Sequence, residues 1–149
     1  MNNISENDLE RFLEAQEYGY PAALRELREG RKKSHWMWYI FPQLRGLGSS
    51  SRSHFYGIKG IAEARAYLAH PILSERLIKL SEILLSADES DPVRIFGEID
   101  AHKLQSSMTL FLFADPDNAI FAGVLRKYYG GKQDPVTLGM LRSEEASHK

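Results

Sequence analysis

Cysteine is absent from the 149 residues of the chain. Its absence excludes disulfides and thiolate metal sites and fits a reducing compartment, so we expect a cytoplasmic protein. Long apolar runs are missing as well, and the longest ones are far shorter than the roughly 20 residues that a membrane-spanning helix needs. The first six residues lack both the basic and the apolar region of a signal peptide. We therefore expect no membrane association.

Neither sign of charge predominates in the chain. Nineteen Lys and Arg residues stand against 20 Asp and Glu residues, so no overall field directs the protein toward nucleic acid or a membrane. The placement is uneven, however, because residues 25–52 contain seven basic side chains and only Glu26 and Glu29 as acids. This local surplus indicates an anionic ligand, although basic runs are more often simply solvated.

Tryptophan is scarce, and both tryptophans lie in one aromatic stretch, residues 32–48. Four of the 16 aromatic residues fall between Trp36 and Phe41. Such rings bury much apolar area, but Trp and Tyr also carry polar ends that need partners. Polar side chains frame the rings, at Lys33, His35, Gln43 and Arg45. We therefore interpret this stretch as a polar-aromatic centre of the molecule.

Apolar residues at helical spacing, proline starts and glycine stops predict an all-α, multihelical single domain. We expect an ordered core over about 6–142 and a polar tail, 143–149, that frays. Ser34 is expected to cap a helix over 35–41, with a strand as the open alternative for that segment. Gln16 lies on the apolar stripe of the first helix, so its amide should be buried and hydrogen-bonded. The other predicted helices are about 6–17, 21–30, 50–56, 61–69, 72–86, 92–98, 101–113, 116–129 and 135–142.

The run SHWMWYIFPQL, which begins at Ser34, resembles the hallmark of an uncharacterised bacterial domain family that is often mislabelled calpastatin. The resemblance continues through residues 12–16, 67–71 and 103–111, so it covers nearly the whole chain. It implies a multihelical single domain and carries no established activity. Residues 10–18 are also similar to a segment of the NADAR family of helical N-glycosidases, which act on riboflavin intermediates or ADP-ribose adducts. That similarity implies an N-glycosidic or nucleotide-like ligand.

His35 is the candidate catalytic residue, because an imidazole can exchange protons near neutral pH. The alternative is a first-turn residue that bonds a nearby carbonyl. As helical neighbours, Trp36 and Trp38 would point about 200° apart, so at most one should face a ligand while the other packs. Three cations are candidates for holding a phosphate or carboxylate, unless they form only an exposed basic rim: Lys33, Arg45 and Arg52.

Lys103, Ser106 and Ser107 share one face of a predicted helix and suggest a polar network that reaches inward. A Ser–Lys nucleophile pair would need a third group to orient the base, and the sequence shows none. The five histidines include no pair at i,i+4 spacing, so we expect no metal site. The single glycine pair, Gly46 and Gly48, is too weak to predict a phosphate cradle, and we expect no cofactor.

Three classes of function remain open at this point. We favour a protein that binds a small anionic ring-bearing ligand, with enzyme activity undecided. A nucleic-acid-binding module would use the basic residues 25–52. A structural or protein-interaction domain would need no ligand. The favoured pocket is lined by Lys33, His35, Trp36, Gln43, Arg45, Lys103 and Ser107.

Overall fold

The structure is a computed structural model that describes the backbone of residues 6–147 and the side chains of residues 8–147. Residues 1–5, on which the signal-peptide argument depends, lie outside the described residues. The same holds for His148 and Lys149 at the end of the predicted tail.

The described residues fold into nine helices and contain no β-sheet, apart from one isolated bridge between Leu44 and Ile58. The all-α prediction is confirmed. None of the helices is long and apolar enough to span a membrane. The helices are α1 (Glu6–Glu29), α2 (Met37–Ile40), α3 (Ser51–Tyr56), α4 (Ile61–Ala69), α5 (Pro71–Ser86), α6 (Pro92–Phe96), α7 (Glu98–Ala114), α8 (Ala119–Tyr129) and α9 (Pro135–Ser147).

The first helix differs from the prediction. We expected a break at Pro21, but α1 runs for 24 residues with that proline inside it. A proline in a helix interior removes one backbone hydrogen bond and disfavours continuation. Tertiary packing outweighs this local signal here, because Phe12 and Ala23, on either side of the proline, are both fully buried. Gly19 also lets the Tyr39 ring approach so closely that an added Cβ would lie 2.3 Å from it.

The core is one continuous cluster whose largest buried side chains are aromatic. The ring of Tyr67 packs between Phe12, at 5.2 Å between centroids, and Phe111, at 5.3 Å. Gln16 lies in this core and donates hydrogen bonds to the Tyr39 carbonyl (2.8 Å) and the Tyr67 hydroxyl (3.1 Å). The prediction that Gln16 is buried and hydrogen-bonded is therefore confirmed.

A buried ion pair connects α1 to α4. Arg11 and Glu63 are 2.8 Å apart, and both side chains are almost completely shielded from solvent. The Arg11 guanidinium also donates to the carbonyls of Phe55 (2.8 Å) and Gly57 (3.0 Å). Every charge in this pair is therefore compensated, which a buried ion pair requires if it is not to destabilise the fold.

Short polar caps set the starts of the later helices. Asp91 and Asp134 cap α6 and α9 as predicted, accepting from the backbone N–H groups of Val93 (3.0 Å) and Thr137 (2.9 Å). The predicted start of α8 at residue 116 is wrong. The helix begins at Ala119, because the Asn118 side chain rather than Asp115 provides its cap.

The predicted end of the last helix at residue 142 is also wrong, since α9 continues through Ser147. The Glu144 carboxylate accepts a hydrogen bond from the backbone N–H of Ile61, with N–O distances of 3.0 and 3.2 Å. It thus caps the first turn of α4 from a position 83 residues further along the chain. Gly60 leaves room for this contact, because a Cβ there would lie 2.8 Å from the carboxylate oxygens.

We expect Glu144→Ala to lower the free energy of unfolding by about 1 kcal/mol, the usual effect of losing a helix cap. The matched control is Glu145→Ala, which removes an exposed carboxylate from the same turn and should change stability by less than about 0.5 kcal/mol. Urea denaturation of both variants measures the difference. Equal stability of the two variants would show that the cap contributes nothing.

Candidate functional site

The Glu26 carboxylate organises the start of the aromatic stretch. Its side chain is 2% exposed and accepts four hydrogen bonds. The donors are the backbone N–H groups of Lys33 (2.6 Å) and Ser34 (2.8 Å), the Ser34 hydroxyl (2.5 Å) and the Trp36 indole (3.0 Å). The prediction that Ser34 caps the next helix is wrong, because α2 begins at Met37 and the Ser34 hydroxyl bonds Glu26 instead.

These hydrogen bonds keep Glu26 ionised. Burial alone would raise the pKa of its carboxyl. The hydrogen bonds from Ser34, from the backbone of residues 33 and 34 and from Trp36 outweigh burial and lower the pKa from 4.5 to about 2. Among the described residues no cation forms an ion pair with Glu26. The charge is therefore stabilised by dipoles alone.

Trp36 belongs to the core and does not face a cleft. The residue is 1% exposed, and its ring packs at 6.3 Å from both Phe41 and Phe96. Lys32 covers it, with Nζ 5.0 Å from the ring. A ligand cannot reach the indole in this conformation, so Trp36 is not part of the surface site described below.

Trp38 is the half-buried tryptophan, and it carries two cations. The Arg52 guanidinium and the Lys103 ammonium each lie 5.1 Å from its ring centroid. Gln43 lines a small cavity together with Trp38. Of the predicted ligand-binding residues, Gln43 and Lys103 thus contact or adjoin Trp38. One tryptophan packs and the other approaches the surface, but the buried one is Trp36, which is one of the predicted pocket residues.

A surface cleft of about 960 Å³ adjoins Arg52. We call it the arginine cleft. The Phe55 ring in its wall is 54% exposed. Arg45 Nε donates to the His54 carbonyl at 2.8 Å, which fixes that guanidinium at the cleft edge. No carboxylate is among the described residues that line it, which are Arg45, residues 49–52, His54, Phe55 and Tyr56.

A second cleft, of about 350 Å³, adjoins the first, and Arg45 and Phe55 line both. We call it the Lys59 cleft, and its remaining lining residues are Asp8, Arg11 and Lys59. Here the cations have acidic partners. Lys59 Nζ is 3.6 Å from Asp8 Oδ1, and Arg11 forms the ion pair with Glu63.

The remaining predicted residues lie elsewhere. Lys33 and His35 are exposed and line neither cleft, and Lys33 forms an exposed ion pair with Glu29 at 3.7 Å. Ser107 is completely buried, and its Oγ has no hydrogen-bond partner among the described residues. The structure therefore does not gather the seven predicted residues into one pocket. The ligand-binding roles of Lys33 and Ser107 and the catalytic role of His35 remain predictions.

The predicted polar network on α7 separates into different contacts. Lys103 adjoins Trp38, whereas the Ser106 hydroxyl lies 3.4 Å from the buried carboxylate of Asp134. His102 Nε2 is 3.7 Å from the same carboxylate. Serine, histidine and aspartate are the residue types of a hydrolase triad. In a triad the histidine lies between the serine and the acid, whereas here the acid lies between the serine and the histidine. No group of three potential metal ligands occurs within the described residues.

Phe55 is the residue at the clefts that sequence reasoning missed. The sequence offers only a weak signal, a phenyl ring directly after the polar run from Ser49 to His54. In the structure no residue of α3 is buried. Because single exposed apolar side chains are common, exposure alone does not distinguish Phe55, and its place at two clefts does.

Residues 6–141 match the model of a family described as "Protein of unknown function (DUF1810)". The chain belongs to this family. It is similar to the conserved hypothetical protein Rv1873 from Mycobacterium tuberculosis, known from a crystal structure, with 47% sequence identity and a TM-score of 0.89. The match covers 91% of this chain and 96% of that one. No curated protein matches. The resemblance to an uncharacterised family is confirmed, and DUF1810 membership leaves function to be argued from geometry.

We expect Glu26→Gln to lower the free energy of unfolding by about 3 kcal/mol at pH 7. Each unit by which folding lowers the pKa corresponds to about 1.4 kcal/mol of stability. The folded-state pKa is depressed, so this contribution is complete above about pH 4.5 and is lost as pH falls through about 2. The difference between wild type and variant should therefore shrink across that window. Urea denaturation from pH 7 to pH 2 measures it.

Glu29→Gln is the matched control, one turn further along α1 and exposed. It should leave stability nearly unchanged at every pH. If Glu26→Gln kept the acid sensitivity of the wild type, the ionised carboxylate would not be what holds residues 33–36.

Proposed function

We propose that this protein binds a small anionic ring-bearing ligand in the arginine cleft, with the anion on Arg45 and Arg52 and the ring against Phe55. The observation that carries the proposal is the pair of arginines. Within the described residues neither forms an ion pair, although both line one cleft without a carboxylate. Two uncompensated guanidinium groups beside each other repel, and an anion between them would remove that repulsion.

The chemistry of the two arginines suits a phosphate or a carboxylate. A guanidinium presents its N–H groups as a planar fork that matches two oxygens of such an anion. Among the described residues, Arg45 donates through Nε alone, to the His54 carbonyl. Arg52 is oriented by the Trp38 ring. A cation–π contact holds the guanidinium in place without neutralising its charge.

The ring of the ligand would stack on Phe55. This phenyl group is the exposed aromatic surface nearest in sequence to the two cations, and it lines both clefts. Stacking of a base on an aromatic side chain contributes about 1–3 kcal/mol. Ser49, Ser50 and Ser51 add hydroxyl groups at the opposite end of the lining. Lys103 and Gln43 extend the same surface past Trp38.

Nucleic acid fits the surface less well than a small ligand. Two of the basic residues of 25–52 already have acidic partners, since Lys32 pairs with Asp100 at 2.8 Å and Lys33 pairs with Glu29. Arg45 and Arg52 remain as the cations that share a cleft. Binding to a nucleic-acid backbone usually needs several phosphate contacts along a basic surface.

A thermal-shift experiment with nucleoside 5′-monophosphates tests the proposal. A ligand that binds the native state raises the melting temperature in a concentration-dependent manner. We expect Arg52→Ala to weaken this binding at least about tenfold, because charge-assisted hydrogen bonds contribute about 1.5–3 kcal/mol. Arg65→Ala, at an exposed position on α4, is the control and should bind as the wild type does. No shift with any nucleotide or sugar phosphate would contradict the proposal.

His35→Ala tests the catalytic residue predicted from the sequence. His35 is exposed, so the substitution should change the free energy of unfolding by less than about 0.5 kcal/mol. If its predicted role holds, the variant should also lose part of the ligand-induced shift in melting temperature. If His35→Ala keeps the ligand-induced shift of the wild type while Arg52→Ala loses it, His35 is not part of the site.

A further inference from the structure

We infer that the Lys59 cleft hydrogen-bonds the polar edge of the ligand's ring, and that the ring is therefore a nucleobase or a similar heterocycle. This inference rests on the proposed function. It adds a second subsite, with Asp8 and Lys59 as specificity-determining residues, and it distinguishes nucleotides from other anionic aromatic compounds such as phenyl phosphates.

The geometric basis is that the two clefts adjoin, since Arg45 and Phe55 line both of them. A ring that lies against Phe55 is therefore next to the residues of the Lys59 cleft. With the anion on Arg45 and Arg52, we place the far edge of the ring at these residues.

The charges of the two clefts differ in the way that such a ligand requires. The arginine cleft has cations and no carboxylate among its described lining residues. In the Lys59 cleft each remaining cation already has an acid, Asp8 for Lys59 and Glu63 for Arg11. A second anionic group would therefore gain little there. An uncharged polar group suits this cleft, whereas the anion belongs in the arginine cleft.

Asp8 and Lys59 form a donor–acceptor pair. Their 3.6 Å separation is that of an ion pair rather than a hydrogen bond, and the side chains are 33% and 45% exposed. A carboxylate accepts up to about four hydrogen bonds and an ammonium donates three, so both groups can bond a ligand as well as each other. A nucleobase edge carries an N–H donor next to an oxygen or nitrogen acceptor. That pattern is complementary to this pair.

A plain phenyl ring would be a poor ligand for the same pair. It offers neither donor nor acceptor, yet it would displace water from the carboxylate and the ammonium, and polar groups that lose water without gaining a partner cost free energy. The cleft should therefore favour a phosphate ligand whose ring edge is polar over one whose ring edge is apolar.

Isothermal titration calorimetry on the full chain compares the 5′-monophosphates of adenosine, guanosine, cytidine and uridine with phenyl phosphate. We expect the best nucleotide to bind at least about tenfold more tightly than phenyl phosphate. Lys59→Met, which keeps the length of the side chain, and Asp8→Ala should each remove most of that advantage. Neither should alter the affinity for phenyl phosphate.

Lys79→Met, at an exposed position on α5, is the control and should keep the wild-type preference. If phenyl phosphate binds as tightly as the best nucleotide, or if Lys59→Met weakens both ligands equally, the inference is overturned while the proposed function stands. If no compound binds to the wild-type chain, the proposed function itself fails and the inference fails with it.

Discussion

One buried carboxylate determines how the aromatic stretch is arranged. Glu26 projects from α1 and accepts hydrogen bonds from successive groups of residues 33–36. Because these donors surround it, the carboxylate is ionised although it is almost completely shielded from solvent. The chain leaving α1 is thereby fixed, the Trp36 ring is directed into the core, and Trp38 emerges at the surface. At the surface, the Trp38 ring meets the cations of Arg52 from α3 and Lys103 from α7.

A second buried acid fixes the opposite wall of the candidate site. Glu63 binds Arg11, and Arg11 holds the carbonyls of Phe55 and Gly57. The charge of Glu26 is stabilised by hydrogen-bond donors alone, whereas the charge of Glu63 is stabilised by the Arg11 guanidinium. The Arg11 contacts connect α1 to Phe55, which lines both clefts, whereas Glu26 connects α1 to residues 33–36, which line neither. The long first helix thus serves as the support on which the arginine cleft is built.

The general fold could be predicted from the sequence, because helical spacing and the caps at Asp91 and Asp134 are local signals. Predictions failed where distant contacts override local ones. Pro21 is tolerated because both halves of α1 are buried, and Glu144 orders the end of α9 through a contact 83 residues away. The site was predicted only in part. Composition placed Gln43, Arg45 and Lys103 near the centre, but it could not show that Glu26 turns Trp36 inward or that α3 presents Phe55.

The two tryptophans allow a direct test of this account, because each reports on one part of it. In a nitrogen-15 NMR titration with a nucleoside 5′-monophosphate, the two indole N–H signals are assigned by Trp→Phe substitution. The account predicts that the Trp38 signal shifts with ligand, because its ring touches Arg52, while the Trp36 signal, bonded to Glu26, stays in place. A shift of the Trp36 signal alone, or of neither signal at saturating nucleotide, would contradict it.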